Sequence, residues 1–280
     1  MNNMKLTIPD IIAKKGVEKI SMLTAYDVSF ARLLDSQGVD MILVGDSLGM
    51  VALGYESTVP VTMDEMIHHA KAVRRGSASF VVGDMPFLSY QVDKKEAIKN
   101  AGRFCKEAGC DAVKLEGGLE VCDTARAVVE AGISVMGHIG LTPQTASQLG
   151  GYKVQGKDVE SARKMLRDAQ ALDGAGVFAI VLECIPDALA KSITENVSVP
   201  TIGIGAGPHC DGQVLVTHDL LGMFDKFVPS FVKRYAQLAP QMKEAVASFI
   251  KEVHAGTFPD DEHSFSMHVD VDELMDDEKK

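Results

Sequence analysis

No C-x-x-C pair occurs in this 280-residue sequence, and its five cysteines, Cys105, Cys110, Cys122, Cys184 and Cys210, are odd in number. That pattern excludes a disulfide framework and a zinc knuckle and fits a reducing cytoplasm. No block of Lys and Arg is present either. The net charge is −11 and the pI about 5.2, so nothing stands ready to neutralise the phosphates of a nucleic acid or an anionic membrane. No apolar run approaches the roughly 18 residues of a membrane span, and Met1–Asp10 lacks the basic and apolar blocks of a signal peptide. A soluble, unexported protein is expected, with carboxylates in plenty for a bound cation.

What the sequence does contain is length and hydrophobic content, 46%, sufficient for one large core. A unit recurs in which a glycine ends a helix, a short aliphatic run follows, and a polar residue closes it. Gly38 leads to Asp46, Gly109 to Glu116, Gly132 to His138 and Gly176 to Glu183. Such runs, apolar without alternation, read as strands buried on both faces. Further strands are expected at Ile20–Ala25, Ser79–Asp84 and Pro200–Gly203, with the eighth at either Val214–Thr217 or Lys226–Pro229. Between them, Lys94–Ala108, Glu120–Ala131, Val159–Ala175 and Asp187–Glu195 carry apolar residues at helical spacing, and Thr62 with Glu65 forms a capping box for a helix reaching Arg75, with Gly76 as its stop. Strands and helices alternating in this way predict a single (β/α)8 TIM barrel over residues 1–265, with an open doubly wound sheet as the alternative. Residues 266–280 form an acidic extension whose composition predicts disorder.

In a (β/α)8 barrel the C-terminal strand ends share one mouth, so polar residues closing apolar strands converge whatever their separation in sequence. Asp46, Asp84, Lys114, Glu116, His138 and Glu183 occupy such positions. Lys114 and Glu116 flank Leu115 and leave the same face of their strand, which must be the interior; either they form a simple buried ion pair or they serve a metal and substrate site. Carboxylates without a His or Cys cluster form a hard oxygen set suited to Mg²⁺ or Mn²⁺. Asp46 and Asp84 are the expected direct ligands, and Glu116 is either a third ligand or an acceptor from metal-bound water. Glu183 closes the run Val177–Leu182, which predicts a poorly solvated carboxyl with a pKa raised toward that of a general base; a further metal carboxylate is the other reading. The run GIGAG (Gly203–Gly207) matches no complete phosphate-loop pattern and reads as close backbone packing near the mouth.

Longer motifs carry a resemblance. They include TAYDVSFA (Thr24–Ala31), VGDSLGM (Val44–Met50), GDMPF (Gly83–Phe87), VKLEGG (Val113–Gly118), GHIGLTPQ (Gly137–Gln144), VLECIP (Val181–Pro186) and DGQVLVTHD (Asp211–Asp219). In these the sequence resembles the ketopantoate hydroxymethyltransferase family, over nearly the whole chain to about residue 265. The resemblance implies a barrel of the phosphoenolpyruvate mutase and isocitrate lyase type, Mg²⁺, 5,10-methylenetetrahydrofolate as one-carbon donor, 3-methyl-2-oxobutanoate as acceptor, and a homodecamer. It implies that Asp46, Asp84 and Glu116 form the metal site, that Asp46, Ser47, Asp84, Lys114 and His138 contact the oxo acid, and that Glu183 is the proton acceptor. The implied reaction passes through a Mg²⁺-stabilised enolate and yields 2-dehydropantoate. A long connection from Ser47 to Val61 is then expected to close over the site. The rivals are a carbon–carbon lyase or phosphonomutase on the same barrel, a Schiff-base aldolase using Lys114, and a non-enzymatic scaffold.

Overall fold

Alternate residues along a strand leave opposite faces. In the computed structural model, which describes residues 5–223 and 228–268, that parity sorts the chain into two apolar layers. The strands are β1 (Ile20–Thr24), β2 (Met41–Val44), β3 (Phe80–Asp84), β4 (Ala112–Glu116), β5 (Ser134–Gly140), β6 (Ala179–Glu183), β7 (Thr201–Ile204) and β8 (Gly212–Leu215). They pair in sequence order, all parallel, and β8 closes onto β1. The closed barrel rules out the open sheet. Met22, Leu43, Val82, Ala112, Met136 and Val181 point inward, with Phe80 and Phe178 in ring contact at 5.6 Å. Ile42, Val81, Leu115, Ile180 and Leu182 point outward onto helical residues such as Met66, Phe104 and Leu172. Each such side chain removed from water contributes about 1.5–3 kcal/mol.

The helices are α1 (Ile8–Ala13), α2 (Val28–Ser36), α3 (Leu48–Val51), α4 (Met63–Gly76), α5 (Lys94–Ala108), α6 (Cys122–Glu130), α7 (Val159–Gly174), α8 (Asp187–Asn196), α9 (Thr217–Leu220) and α10 (Leu238–Ala255). The capping box before α4 is formed reciprocally by Thr62 and Glu65. Gly76 is the last residue of α4 rather than its stop; a Cβ there would press on the Val28 carbonyl, so glycine permits the α2–α4 approach. The eighth strand begins at Gly212, earlier than Val214. Of the other expected segment, Lys226 and the residue after it lie outside the described residues, while Val228 and Pro229 are not in a strand.

Opposite the mouth, Asp211 ties the N-terminal segment after α1 to the barrel. It accepts hydrogen bonds from Gly16 N (3.0 Å) and Thr201 N (2.9 Å) and pairs with Lys15 Nζ at 3.1 Å. No residue of α10 is buried, and its apolar side chains Met242, Val246, Phe249, Ile250 and Val253 lie along one face at 44–58% exposure. Among the described residues no helix is long and apolar enough to cross a membrane. Of the acidic extension, residues 269–280 lie outside the described residues.

Candidate active site

Inward parity carried past the apolar layers brings charge to the C-terminal mouth. On β4, Ala112 packs in the barrel, and Lys114 and Glu116 follow it on the same face while Leu115 turns to the helices. Register sets the neighbours: Asp84 is opposite Lys114, Glu116 opposite His138, and Gly140 opposite Glu183. Asp46 follows β2, and all six polar residues line one cavity of about 320 Å³, joined by Ser47. At Gly140 a Cβ would collide with the Glu183 carbonyl, and φ is +99°, so glycine lets the β5 end lie against Glu183.

Lys114 Nζ lies 2.7 Å from Asp84 Oδ1, 3.6 Å from Glu116 Oε1 and 3.2 Å from His138 Nδ1. His138 Nδ1 is also 3.4 Å from Glu116 Oε1, and its Nε2 is 3.1 Å from Glu183 Oε2. Asp46 N donates to Asp84 Oδ2 at 3.2 Å, so the two aspartates share one corner. Ser47 Oγ and Tyr26 OH are paired at 2.9 Å. The connection from Ser47 to Val61 contains α3, and its residues Ser47, Met50, Val51 and Thr58 form part of the cavity wall.

Burial and repulsion from Asp84 and Glu116 push the Asp46 pKa well above the ordinary carboxylate range. Asp84 is raised as well, by burial, although Lys114 pulls the other way. Burial opposes ionisation of Glu116 too, but Lys114 and His138 outweigh it and hold its pKa down. Lys114 is held charged despite its burial by Asp84, Glu116 and Asp46. Burial and the Lys114 ammonium lower the proton affinity of His138, yet the Glu116 and Glu183 carboxylates prevail and bring it up to about 9. His138 Nε2 lies 3.1 Å from Glu183 Oε2 but is not aligned to form a hydrogen bond with it. The Glu183 side chain is 16% exposed, so the apolar run before it does not enclose the carboxyl.

The donor set suits a divalent cation in its charge and its ligand type. Three buried carboxylates, Asp46, Asp84 and Glu116, face the Lys114 ammonium, with His138 beside Glu116, and the raised pKa of Asp46 marks its corner with Asp84 as short of positive charge. Asp46 and Asp84 present hard oxygens side by side, the one-or-two-carboxylate pattern that suits Mg²⁺. Among the described residues no group of three or more His, Cys, Asp or Glu side chains is gathered to hold an ion together. Glu116 is engaged by His138 and by the Gln144 N–H, which donates to Oε2 at 3.1 Å.

The sequence profile of ketopantoate hydroxymethyltransferase matches residues 5–261 of the chain. The chain belongs to the ketopantoate hydroxymethyltransferase family. The 3-methyl-2-oxobutanoate hydroxymethyltransferase of Syntrophomonas wolfei is 62% identical over 259 residues, covering 92% of this chain and 94% of that protein. Among solved structures, phosphonopyruvate hydrolase in complex with oxalate and Mg²⁺ aligns with a TM-score of 0.61 at 13% identity, covering 98% of this chain and 96% of that one. A 2,3-dimethylmalate lyase of the phosphoenolpyruvate mutase and isocitrate lyase superfamily aligns with a TM-score of 0.55 at 14% identity, covering 97% and 98%. These structures share the fold. The family assignment makes the chain an enzyme, a one-carbon transferase.

In this hydroxymethyltransferase mouth the six strand-end residues and Ser47 are brought together as the barrel topology requires. Gln144 and Tyr90 were not anticipated. Gln144 sits in GHIGLTPQ and Tyr90 six residues after Asp84; both are polar residues almost fully buried, bonded to each other at 2.9 Å through Tyr90 OH and Gln144 Oε1. Cys184 lines the cavity but is no nucleophile: burial and Glu183 push its thiol pKa up to about 12. Its φ of +49° is left-handed, and its N–H and C=O are fixed by Ile204 O and Gln155 N, which holds the turn after Glu183. In GIGAG, a Cβ on Gly207 would collide with Asp187, in keeping with close backbone packing.

Proposed function

We propose that this chain transfers the one-carbon unit of 5,10-methylenetetrahydrofolate to 3-methyl-2-oxobutanoate, with water supplying the hydroxyl oxygen, giving 2-dehydropantoate for pantothenate synthesis and releasing tetrahydrofolate, with Mg²⁺ as its metal. The observation that carries the reading is the line of contacts Lys114–His138–Glu183 across the mouth, 3.2 and 3.1 Å, facing the Asp46–Asp84 corner. When bound at Asp46 and Asp84, with Glu116 beside them, Mg²⁺ would supply Lewis-acid polarisation of the keto group and so acidify C3. Lys114 and Ser47 hold the oxo acid by its negative oxygens, as a preorganised ammonium and hydroxyl do. Glu183 accepts the C3 proton, and His138 lies beside its carboxylate, with Nε2 3.1 Å away. The deeply buried floor of the mouth limits access of water to the carbanion equivalent so formed.

The Schiff-base alternative is disfavoured by the same site. Three carboxylates stabilise the Lys114 ammonium, whereas a Schiff base needs the free amine. Self-association, expected as a decamer, is supported by the exposed apolar face of α10. A cytoplasmic location is supported by five free cysteines. An assay of 3-methyl-2-oxobutanoate with methylenetetrahydrofolate, with and without Mg²⁺, tests the proposal. Formation of 2-dehydropantoate should require both substrates and the metal; undiminished product in excess chelator would contradict it.

A further inference from the structure

β8 runs into α9, and that short helix carries a carboxylate that the chemistry above leaves unused. Asp219 lines the same cavity as Lys114 and Glu183, and the residue is only 9% exposed. Among the described residues no donor bonds its carboxylate and no cationic side chain reaches ion-pair distance; Arg234 acts on it only from farther away, against the burial that raises its pKa. What remains open of the carboxylate faces the cavity, so its acceptors are left for whatever enters there. On a cavity wall, such a group marks where a ligand brings the missing donors.

The surroundings narrow the ligand's chemistry. Leu215, Val216, Phe231 and Val232 line the same cavity, an apolar wall with Asp219 as its acceptor. α9 also borders the oxo-acid pocket. The His218 ring, next to Asp219 in the chain, lies 5.5 Å from that of Tyr26, whose hydroxyl pairs with Ser47. A second ligand held by Asp219 would therefore lie next to the first. Two carboxylate oxygens match two adjacent N–H donors in one plane, the geometry that makes fork-like pairs strong and selective.

We propose that Asp219 is the recognition residue for the one-carbon donor. It accepts from the neighbouring ring N–H and amino group of a 2-amino-4-oxo heterocycle such as a pterin, whose flat faces pack on the apolar wall. This rests on the reading of the donor as a reduced folate. Asn at this position presents one acceptor and one donor, so one of the two ligand N–H groups would meet an N–H.

The test is equilibrium dialysis of tetrahydrofolate against the full chain and its Asp219→Asn and Asp219→Ala variants, with 3-methyl-2-oxobutanoate binding to the same variants reporting whether the oxo-acid pocket is intact. Both variants should bind tetrahydrofolate about 10- to 100-fold more weakly, and the KM for methylenetetrahydrofolate should rise far more than the KM for the oxo acid. Tetrahydrofolate binding equal to the unmodified protein's would overturn the assignment, as would parallel loss of both ligands in both variants. If the unmodified protein binds no tetrahydrofolate, the folate reading fails and free pterin becomes the probe. Pterin binding that is lost in Asp219→Asn upholds the role of Asp219, and pterin binding that is absent or indifferent to the substitution overturns it.

Discussion

Gln144 Nε2 donates to Asp46 Oδ2 at 2.9 Å. The same nitrogen donates to Met85 O at 2.9 Å, and the backbone N–H of Gln144 donates to Glu116 Oε2 at 3.1 Å. One residue thus fixes two of the three acidic side chains. Gln144→Ala would leave the Asp46 carboxylate without that donor, and loss of a positioning hydrogen bond of this kind should lower kcat/KM about 10- to 100-fold. Titration with Mn²⁺ followed by electron paramagnetic resonance separates this role from packing. Weaker Mn²⁺ binding is expected; unchanged affinity in a variant with lowered activity would show that Gln144 does not act through Asp46.

The barrel was legible in the sequence because parity and punctuation agree. Lys114, Leu115 and Glu116 alternate as an inward, outward and inward triplet, and the α5 helix ends at Gly109 in the left-handed conformation, as its glycine suggested. The six strand-end residues followed from topology, since all eight strands point the same way. Gln144, Tyr90 and Asp219 did not follow, because each comes from a connection whose path is set by tertiary packing rather than by period. The eighth strand was legible only as one of two segments, the first of which overlaps β8, for a similar reason. β8 is only four residues long with a glycine at its start, and its boundary is fixed by pairing to β1 and β7 rather than by an apolar run of its own.

Asp211 predicts acid sensitivity of the fold. Burial alone would raise its pKa, but the Thr201 N–H, Lys15 and the Gly16 N–H hold it below the ordinary value. A lowered folded pKa stabilises the native state above the unfolded pKa, about 4 for Asp, and that contribution is lost as pH falls through the folded value. Asp211→Asn should cost about 1–3 kcal/mol near neutrality. Melting temperatures of the two proteins should converge below about pH 4; a constant gap down to strongly acidic pH would show that the carboxylate's charge is not what matters.

The α10 face predicts an assembly held by apolar contact. Phe249 and Ile250 are 54% and 47% exposed in the single chain. Replacing both with Asp should yield a smaller species by size-exclusion chromatography with light scattering, with the circular dichroism of the barrel retained, because charge cannot be buried there without a partner. An assembly of unchanged mass would remove α10 from the interface.

Glu183 as proton acceptor is the claim on which the account turns, and exchange of the C3 proton of 3-methyl-2-oxobutanoate in D2O, without folate, measures it most directly. Its carboxylate faces the cavity beside the His138 ring, so proton removal should proceed before any one-carbon unit is present. Proton NMR of the isopropyl signals should show exchange with the unmodified protein and Mg²⁺. In Glu183→Gln the rate should fall about a hundredfold or more while the oxo acid still binds through Lys114 and Ser47. Exchange by Glu183→Gln at the unmodified rate would contradict the account and move the base to another residue of the mouth.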